Sequence, residues 1–78
     1  MNYDEEKVAE VVLALLHLST FEERRVPRAW KGHDWGALNR LHEKGFISDP
    51  RSKAKSVVLT DEGMEQSRIL FNKHFGLP

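Results

Sequence analysis

Several features are missing from this chain, and each absence limits what the protein can be. There is no cysteine among its 78 residues, so neither disulfides nor a thiolate zinc site can reinforce the fold. The longest apolar run is Val11–Leu16, far short of the roughly 20 residues of a membrane-spanning helix. The acidic start, with Asp4, Glu5 and Glu6, lacks the basic flank of a secretory signal. We therefore expect a soluble, cytoplasmic protein with no membrane partner.

Motifs for catalysis and metal binding are missing as well. No two of the four histidines stand three or four residues apart, the spacing that places two zinc ligands on one helix face. There is no glycine-rich phosphate loop and no combination of nucleophile, base and orienting group. His42 falls on the apolar side of its helix and is expected to be half-buried, with a proton switch as the alternative. We predict no enzyme, no metal and no small-molecule cofactor.

The length of the chain predicts a single domain over residues 1–78 with a marginal core. A protein of this size buries only about 60% of the surface that its unfolded chain exposes. Without disulfides or a metal, a second copy of the chain could add stability, so we expect a homodimer.

The first helix is predicted from about Tyr3 to Leu18, with Asn2 as its cap. Its apolar arc covers about 220°, against roughly 100° for an ordinary surface helix. The excess, centred on Leu13 and Leu16, predicts a subunit contact; the alternative is that other elements of the same chain cover it. Ile69 on the last helix is a second possible contact residue.

The middle of the chain predicts a helix followed by a β-ribbon. Asp34 can cap a helix that ends at Lys44, with Gly45 as a left-handed stop residue. A strand then begins at Phe46 and Ile47, residues 49–52 form a turn, and residues 56–59 form the return strand. Thr60 caps a last helix that reaches about Phe75.

Residues 19–33 are harder to interpret. Residues 21–26 could form a short helical turn, or the first helix could continue as far as Pro27, and residues 29–33 resemble an irregular loop. The predicted fold class is α+β, with the order helix, loop, helix, two-stranded antiparallel ribbon, helix.

Charge is unevenly distributed along the chain although the total is zero. Residues 1–23 carry −5, residues 24–55 carry +6 and residues 56–78 carry −1. Such an asymmetry can steer an anionic partner or let two copies meet with complementary patches. The alternative is that these charges only solvate the surfaces of a small helical protein.

The basic turn Arg51, Lys53 and Lys55 has the composition of a loop that grips phosphates without reading sequence. Asn39 and Arg40, on the helix before it, suit adenine and guanine edges. These five residues are the predicted nucleic-acid contacts, with duplex DNA as the possible partner. The alternative is that the lysines only keep an exposed hairpin soluble.

The two tryptophans have different predicted roles. Trp35 falls on the apolar side of its helix and is assigned to the core. Trp30 could stack on a base, anchor a protein partner or fill the core.

Two resemblances follow from these motifs. The spacing Leu38-x-x-Leu41-x-x-x-Gly45-Phe46-Ile47, followed by Leu59-Thr60-x-Glu62-Gly63, resembles the second half of winged-helix transcription regulators of the PadR and MarR kind. This resemblance implies a recognition helix carrying Asn39 and Arg40, and a wing carrying Arg51, Lys53 and Lys55. The positioning helix of those regulators would be reduced or missing here.

Across nearly its whole length the chain also resembles a family of short bacterial proteins known only as a domain of unknown function. The matching segments include residues 28–32, 41–45 and 53–60. The sequence therefore predicts a winged-helix-like nucleic-acid-binding module; the alternative is a dimeric protein-interaction module that uses the first helix and Trp30.

Overall fold

Three helices and one antiparallel sheet make up the chain, which the computed structural model describes over residues 1–78. The predicted α+β class and the three predicted helices are confirmed. In chain order the elements are α1 (Glu5–Ser19), β1 (Phe21–Glu23), β2 (Val26–Trp30), α2 (Trp35–Glu43), β3 (Ser56–Val58) and α3 (Asp61–Phe75).

Each helix begins at a side-chain cap, which supplies an acceptor to the otherwise unpaired first turn. Asp34 and Thr60 cap α2 and α3 as predicted, accepting from the backbone N–H three residues on at 3.0 and 2.9 Å. The prediction of Asn2 as the first cap is wrong. Because α1 begins at Glu5, its cap is Asp4.

Residues 21–30 form a β-hairpin, so both predictions of helix in this segment are wrong. The two strands join through Arg24 and Arg25, which have φ angles of 52° and 67°. Positive φ at both positions is the type I′ geometry that suits two-residue hairpins. Sequences that favour this turn place Asn-Gly there, and the arginine pair therefore gave no hairpin signal.

The sheet has three strands in the order β1-β2-β3, which corrects the predicted two-stranded ribbon. The return strand lies where predicted, but its main partner is β2, with Arg28 opposite Val58. Ile47 contributes a single bridge to Leu59. The cationic segment 51–55 is consequently a loop between α2 and β3.

The core lies between the inner face of the sheet and the helices. Ala29 and Val57 on that face are fully buried and join Leu13 and Leu16 of α1 in one apolar cluster. The predicted subunit contact at Leu13 and Leu16 therefore needs correction, because α2, α3 and β2 all pack on α1 and cover both residues within one chain. None of the helices has the length and apolar character needed to cross a membrane.

The end of α2 and the start of α3 meet at a close backbone contact. A Cβ placed on Gly63 would lie 1.9 Å from the carbonyl oxygen of Phe46, so only glycine fits there. The Thr60 N–H donates to the same oxygen at 3.0 Å, and its hydroxyl donates to the Gly45 carbonyl at 2.7 Å. Gly45 itself has a φ of 80°, as predicted for the stop residue.

We predict that Gly63→Ala lowers the free energy of unfolding by about 3 kcal/mol, because the added methyl group forces two backbones apart. Urea unfolding followed by circular dichroism measures this change. Gly32→Ala is the matched control, since a Cβ on Gly32 meets nothing within 4 Å. A Gly63→Ala protein as stable as the Gly32→Ala protein would contradict the prediction.

Candidate functional site

The predicted nucleic-acid contacts on α2 are paired with the start of α1. The Arg40 guanidinium lies 2.5 Å from Glu5 and 2.6 Å from Glu6, and the Lys44 ammonium lies 2.5 Å from Glu6. The hydrogen bond from Lys44 is the main cause that lowers the pKa of Glu6, and the bond to Glu5 is the main cause that raises the pKa of Arg40. The charge of Arg40 is thus largely balanced within the chain.

Asn39 lies beside these ion pairs and is half-buried. It shares a shallow depression with Glu5, Gly36, Arg40 and Glu43, so two carboxylates border the side chain. A surface of this balanced charge attracts phosphate weakly.

A second cleft, of about 220 Å³, separates the starts of α1 and α2. Its charged groups already have partners: Arg40 has Glu5, and Asp34 accepts the Ala37 N–H of its own helix. The cleft therefore presents little uncompensated charge to a ligand.

The predicted contacts on the loop lie in a different environment. Arg51 pairs with Asp49 at 3.1 Å, and the pKa of Asp49 is lowered by the Arg51 backbone N–H and then by its side chain. Lys53 and Lys55 are exposed and have no carboxylate within ion-pair distance. Two of the three predicted loop cations are thus available to an external anion.

Lys31 fixes this loop against the end of β2. Its ammonium donates to the carbonyl oxygens of Pro50 and Ser52, both at 2.7 Å, and its backbone N–H donates to the Lys55 carbonyl at 3.2 Å. Hydrogen bonds from a charged donor are stronger than neutral ones. The loop is consequently held next to the hairpin and its lysines project from a defined position.

The outer face of the hairpin carries an aromatic pair, in which Trp30 is exposed and Phe21 is half-buried. The rings of Phe21 and Trp30 lie 5.0 Å apart at an interplanar angle of 33°, and 58% of Trp30 is exposed. Arg28 shares this face, since it is opposite Phe21 and two residues before Trp30. Its guanidinium donates to the Ser56 hydroxyl at 2.7 Å and has no carboxylate partner.

We call the outer face of residues 21–30 together with loop 51–55 the hairpin–loop surface. Five of the twelve lysines and arginines are in ion pairs: Arg40, Lys44, Arg51, Arg68 and Lys73. Six of the other seven belong to the hairpin or border the loop: Arg24, Arg25, Arg28, Lys31, Lys53 and Lys55. Acidic residues there are few, namely Glu22 and Glu23 on the edge strand. The unpaired positive charge of the protein is concentrated on this surface.

Four of these cations were missed as site residues from the sequence, namely Arg28 and Lys31 on and beside β2 and Arg24 and Arg25 in the turn. Both turn arginines are exposed at the tip of the hairpin. A non-glycine residue at positive φ costs about 1–2 kcal/mol, so each arginine stands where the backbone disfavours it. The signal available was the Arg-Arg pair itself, five residues before Trp30.

The other side chains singled out from the sequence differ in how far they are buried. The assignment of Trp35 to the core is wrong, since half of the residue is exposed. His42 is half-buried as predicted, and its Nδ1 lies 3.1 Å from the Ile47 carbonyl oxygen. Ile69 and Trp30, two of the predicted contact residues, are exposed. No three histidine or acidic side chains come together as a metal site would require.

Comparison with known proteins places the chain in a family. Residues 4–77 match the model of the domain of unknown function DUF6429, and the chain belongs to this family. It is 52% identical over 75 residues to the uncharacterized protein y4hR of Sinorhizobium fredii (strain NBRC 101917 / NGR234), covering 96% of this chain and 97% of that protein. No solved structure matches the chain. Neither match carries an activity.

The pairing of Glu6 predicts a loss of stability in acid. Because the folded-state pKa of Glu6 is below its unfolded value, its contribution is present above the ordinary glutamate pKa of about 4.3. It is lost as the pH falls through the lowered folded-state value. We expect Glu6→Gln to flatten the decline of the thermal midpoint between about pH 5 and pH 2.

Thermal melts at low salt across this range test the expectation. Glu22→Gln is the control, since Glu22 is exposed and has no ion-pair partner. Identical acid profiles for the two variants would show that the ion pairs of Glu6 with Arg40 and Lys44 do not stabilise the fold.

At the hairpin tip we predict substitutions that stabilise the protein. Replacing Arg24 by Asn and Arg25 by Gly should raise the free energy of unfolding by about 1 kcal/mol, because the new residues accept positive φ. Urea unfolding measures the change, and replacing both arginines by lysine controls for the charge. A double Asn-Gly variant that is less stable than the wild type would show that the arginines stabilise the turn.

Proposed function

We propose that this protein is a nucleic-acid-binding module that contacts the phosphate backbone through the hairpin–loop surface. The observation that carries the proposal is the separation of charge: six cations without carboxylate partners lie on or beside one surface of a chain whose net charge is zero. A surface with an excess of positive charge raises the local concentration of an anionic partner and speeds its association.

The chemistry of the cations supports a polyanion rather than a single small anion. Lys53 and Lys55 are exposed point charges on a loop, and Arg24 and Arg25 lie at the far end of the hairpin. The five residues of β2, Val26–Trp30, extend over about 13 Å. Charges spread over such a distance fit successive phosphates of a chain better than one compact ligand.

The resemblance to winged-helix regulators supports the same function with different contact residues. Loop 51–55 follows α2 and precedes α3, which is the chain order that the resemblance gives to the wing. In the resemblance, Asn39 and Arg40 would read bases from α2. We propose that loop 51–55 and the hairpin make the contacts instead, because Arg40 is paired with Glu5 and Glu6.

The alternative of a dimeric protein-interaction module has less support. Its main argument was an uncovered apolar face at Leu13 and Leu16, and both residues are buried within one chain. Trp30 and Ile69 keep the exposure that a contact requires. The predicted homodimer is tested by sedimentation velocity on the wild-type protein.

The prediction for the proposed function concerns three residues of the loop. Arg51, Lys53 and Lys55 changed together to alanine should weaken binding to a nucleic acid at low salt at least about tenfold. The slope of log K against log salt should decrease in magnitude by roughly 1.4 to 1.8, because Lys53 and Lys55 are the two available cations and each lost phosphate contact removes about 0.7 to 0.9. Fluorescence anisotropy of a labelled oligonucleotide, measured over a series of salt concentrations, gives both values.

The control is the triple alanine variant of Lys7, Arg68 and Lys73. It changes the net charge by the same amount at exposed positions on α1 and α3. We expect it to bind nearly as the wild type does. Equal losses in both triple variants would mean that net charge alone governs binding, and a wild type that binds neither duplex nor single strands at low salt would reject the function.

A further inference from the structure

We infer that the nucleic acid bound by the hairpin–loop surface is single-stranded, with unpaired bases stacking on the Phe21–Trp30 pair. This inference rests on the proposed function and adds the class of ligand. The feature that carries it is an aromatic pair in the middle of a cationic surface, in which Trp30 is exposed and Phe21 is half-buried.

The aromatic pair is built into the sheet. Phe21 on β1 and Trp30 on β2 share the outer face, and the rings lie 5.0 Å apart. On the opposite face Ala29 is fully buried against the core, which fixes the side to which its neighbour Trp30 projects. The indole is therefore held in place by the strand beneath it and by one neighbouring ring.

Packing against Phe21 within the hairpin leaves most of the Trp30 side chain uncovered. More than half of the residue, 58%, is in contact with solvent although Phe21 packs beside it. No helix covers this face of the sheet, since the helices pack on the inner face with Val57 and Leu59. A large aromatic side chain in this position is available to a planar partner.

The surrounding charges favour a nucleic acid as that partner. Arg28 lies on the same face, opposite Phe21 and two residues before Trp30, and its guanidinium is oriented by Ser56. Lys53 and Lys55 lie beyond one end of the aromatic pair, and Arg24 and Arg25 lie beyond the other. Aromatic rings flanked by cations bind unpaired bases and their phosphates together, with little dependence on sequence.

A duplex satisfies only part of this arrangement. The bases of a duplex are already stacked on one another. An exposed indole beside the duplex therefore has no free base face on which to stack. Phosphates of a duplex can still reach Lys53 and Lys55. We therefore expect the aromatic pair to contribute to single-strand binding alone, and the loop lysines to contribute to both.

The experiment compares two tryptophans of similar exposure. Trp30 is 58% exposed on the hairpin–loop surface, and Trp35 is 50% exposed on α2, outside it. The probes are a labelled oligothymidine of about 12 nucleotides and a duplex of the same length. Anisotropy titrations at one low salt concentration give the affinities of wild type, Trp30→Leu, Trp30→Phe and Trp35→Leu.

We expect Trp30→Leu to lose about tenfold in affinity for the single strand, since stacking of one base contributes on this scale. Trp30→Phe should retain most of the affinity, because it keeps an aromatic face where leucine keeps only apolar volume. Trp35→Leu should bind as the wild type does, and the duplex affinity of all four proteins should agree within about twofold.

The outcomes separate the inference from the proposed function. A wild type that binds neither probe overturns both. Binding of both probes with no loss in Trp30→Leu overturns the single-strand inference and leaves the phosphate-binding function in place. Should Trp30→Leu fail to fold, the Trp35→Phe protein provides the test, because Trp30 is then its only tryptophan. Quenching of the Trp30 fluorescence by the oligothymidine supports stacking. An unchanged fluorescence signal on binding overturns the single-strand inference.

Discussion

The pairing of β2 with β3 is the constraint on which the rest of the structure depends. It places Arg28 opposite Val58 and Trp30 opposite Ser56, residues that are 30 and 26 positions apart in the sequence. Closing a loop of that length has an entropic cost, which burial of Ala29 and Val57 beneath the sheet helps to offset. On the outer side the same pairing places the aromatic pair next to loop 51–55. The same strand pairing thus positions the core on the inner side of the sheet and the hairpin–loop surface on its outer side.

The parts of the fold that could be predicted from the sequence are those fixed by neighbouring residues. Asp34 and Thr60 cap their helices through backbone groups three residues away, and Gly45 ends α2 through its own φ, so each is visible in a short window. The hairpin was not visible because arginines occupy turn positions that usually carry Asn and Gly. The partner of β3 could not be predicted since strand pairing is set by packing over the whole chain. The exposure of Trp35 could not be predicted for a similar reason. A helical wheel gives the side of the helix on which Trp35 lies, but it does not show whether a neighbouring element extends far enough to cover that side.

The candidate site was only partly predictable, because a sequence gives charges and the fold decides which of them are paired. The excess of positive charge in residues 24–55 was evident from composition, and Lys53 and Lys55 are exposed as expected. Arg40 belongs to the same segment, yet packing of α2 on α1 brings it to Glu5 and Glu6. The acidic N-terminal segment therefore neutralises the positive charge of α2, while most cations of the hairpin and the loop have no acidic partner. Charge asymmetry along the sequence becomes charge asymmetry on the surface only after this pairing.

Two features of the hairpin–loop surface act against stability in a domain whose core is small. Arg24 and Arg25 hold backbone angles that cost about 1–2 kcal/mol for each residue, and Trp30 leaves much of its ring in water. A short chain with a marginal core gains nothing structural from either feature, and simple replacements would relieve the strain at the turn. Backbone strain that persists in such a setting is commonly associated with a functional site. Because the strained cations and the exposed indole belong to the same hairpin, a single ligand that is both anionic and planar accounts for both.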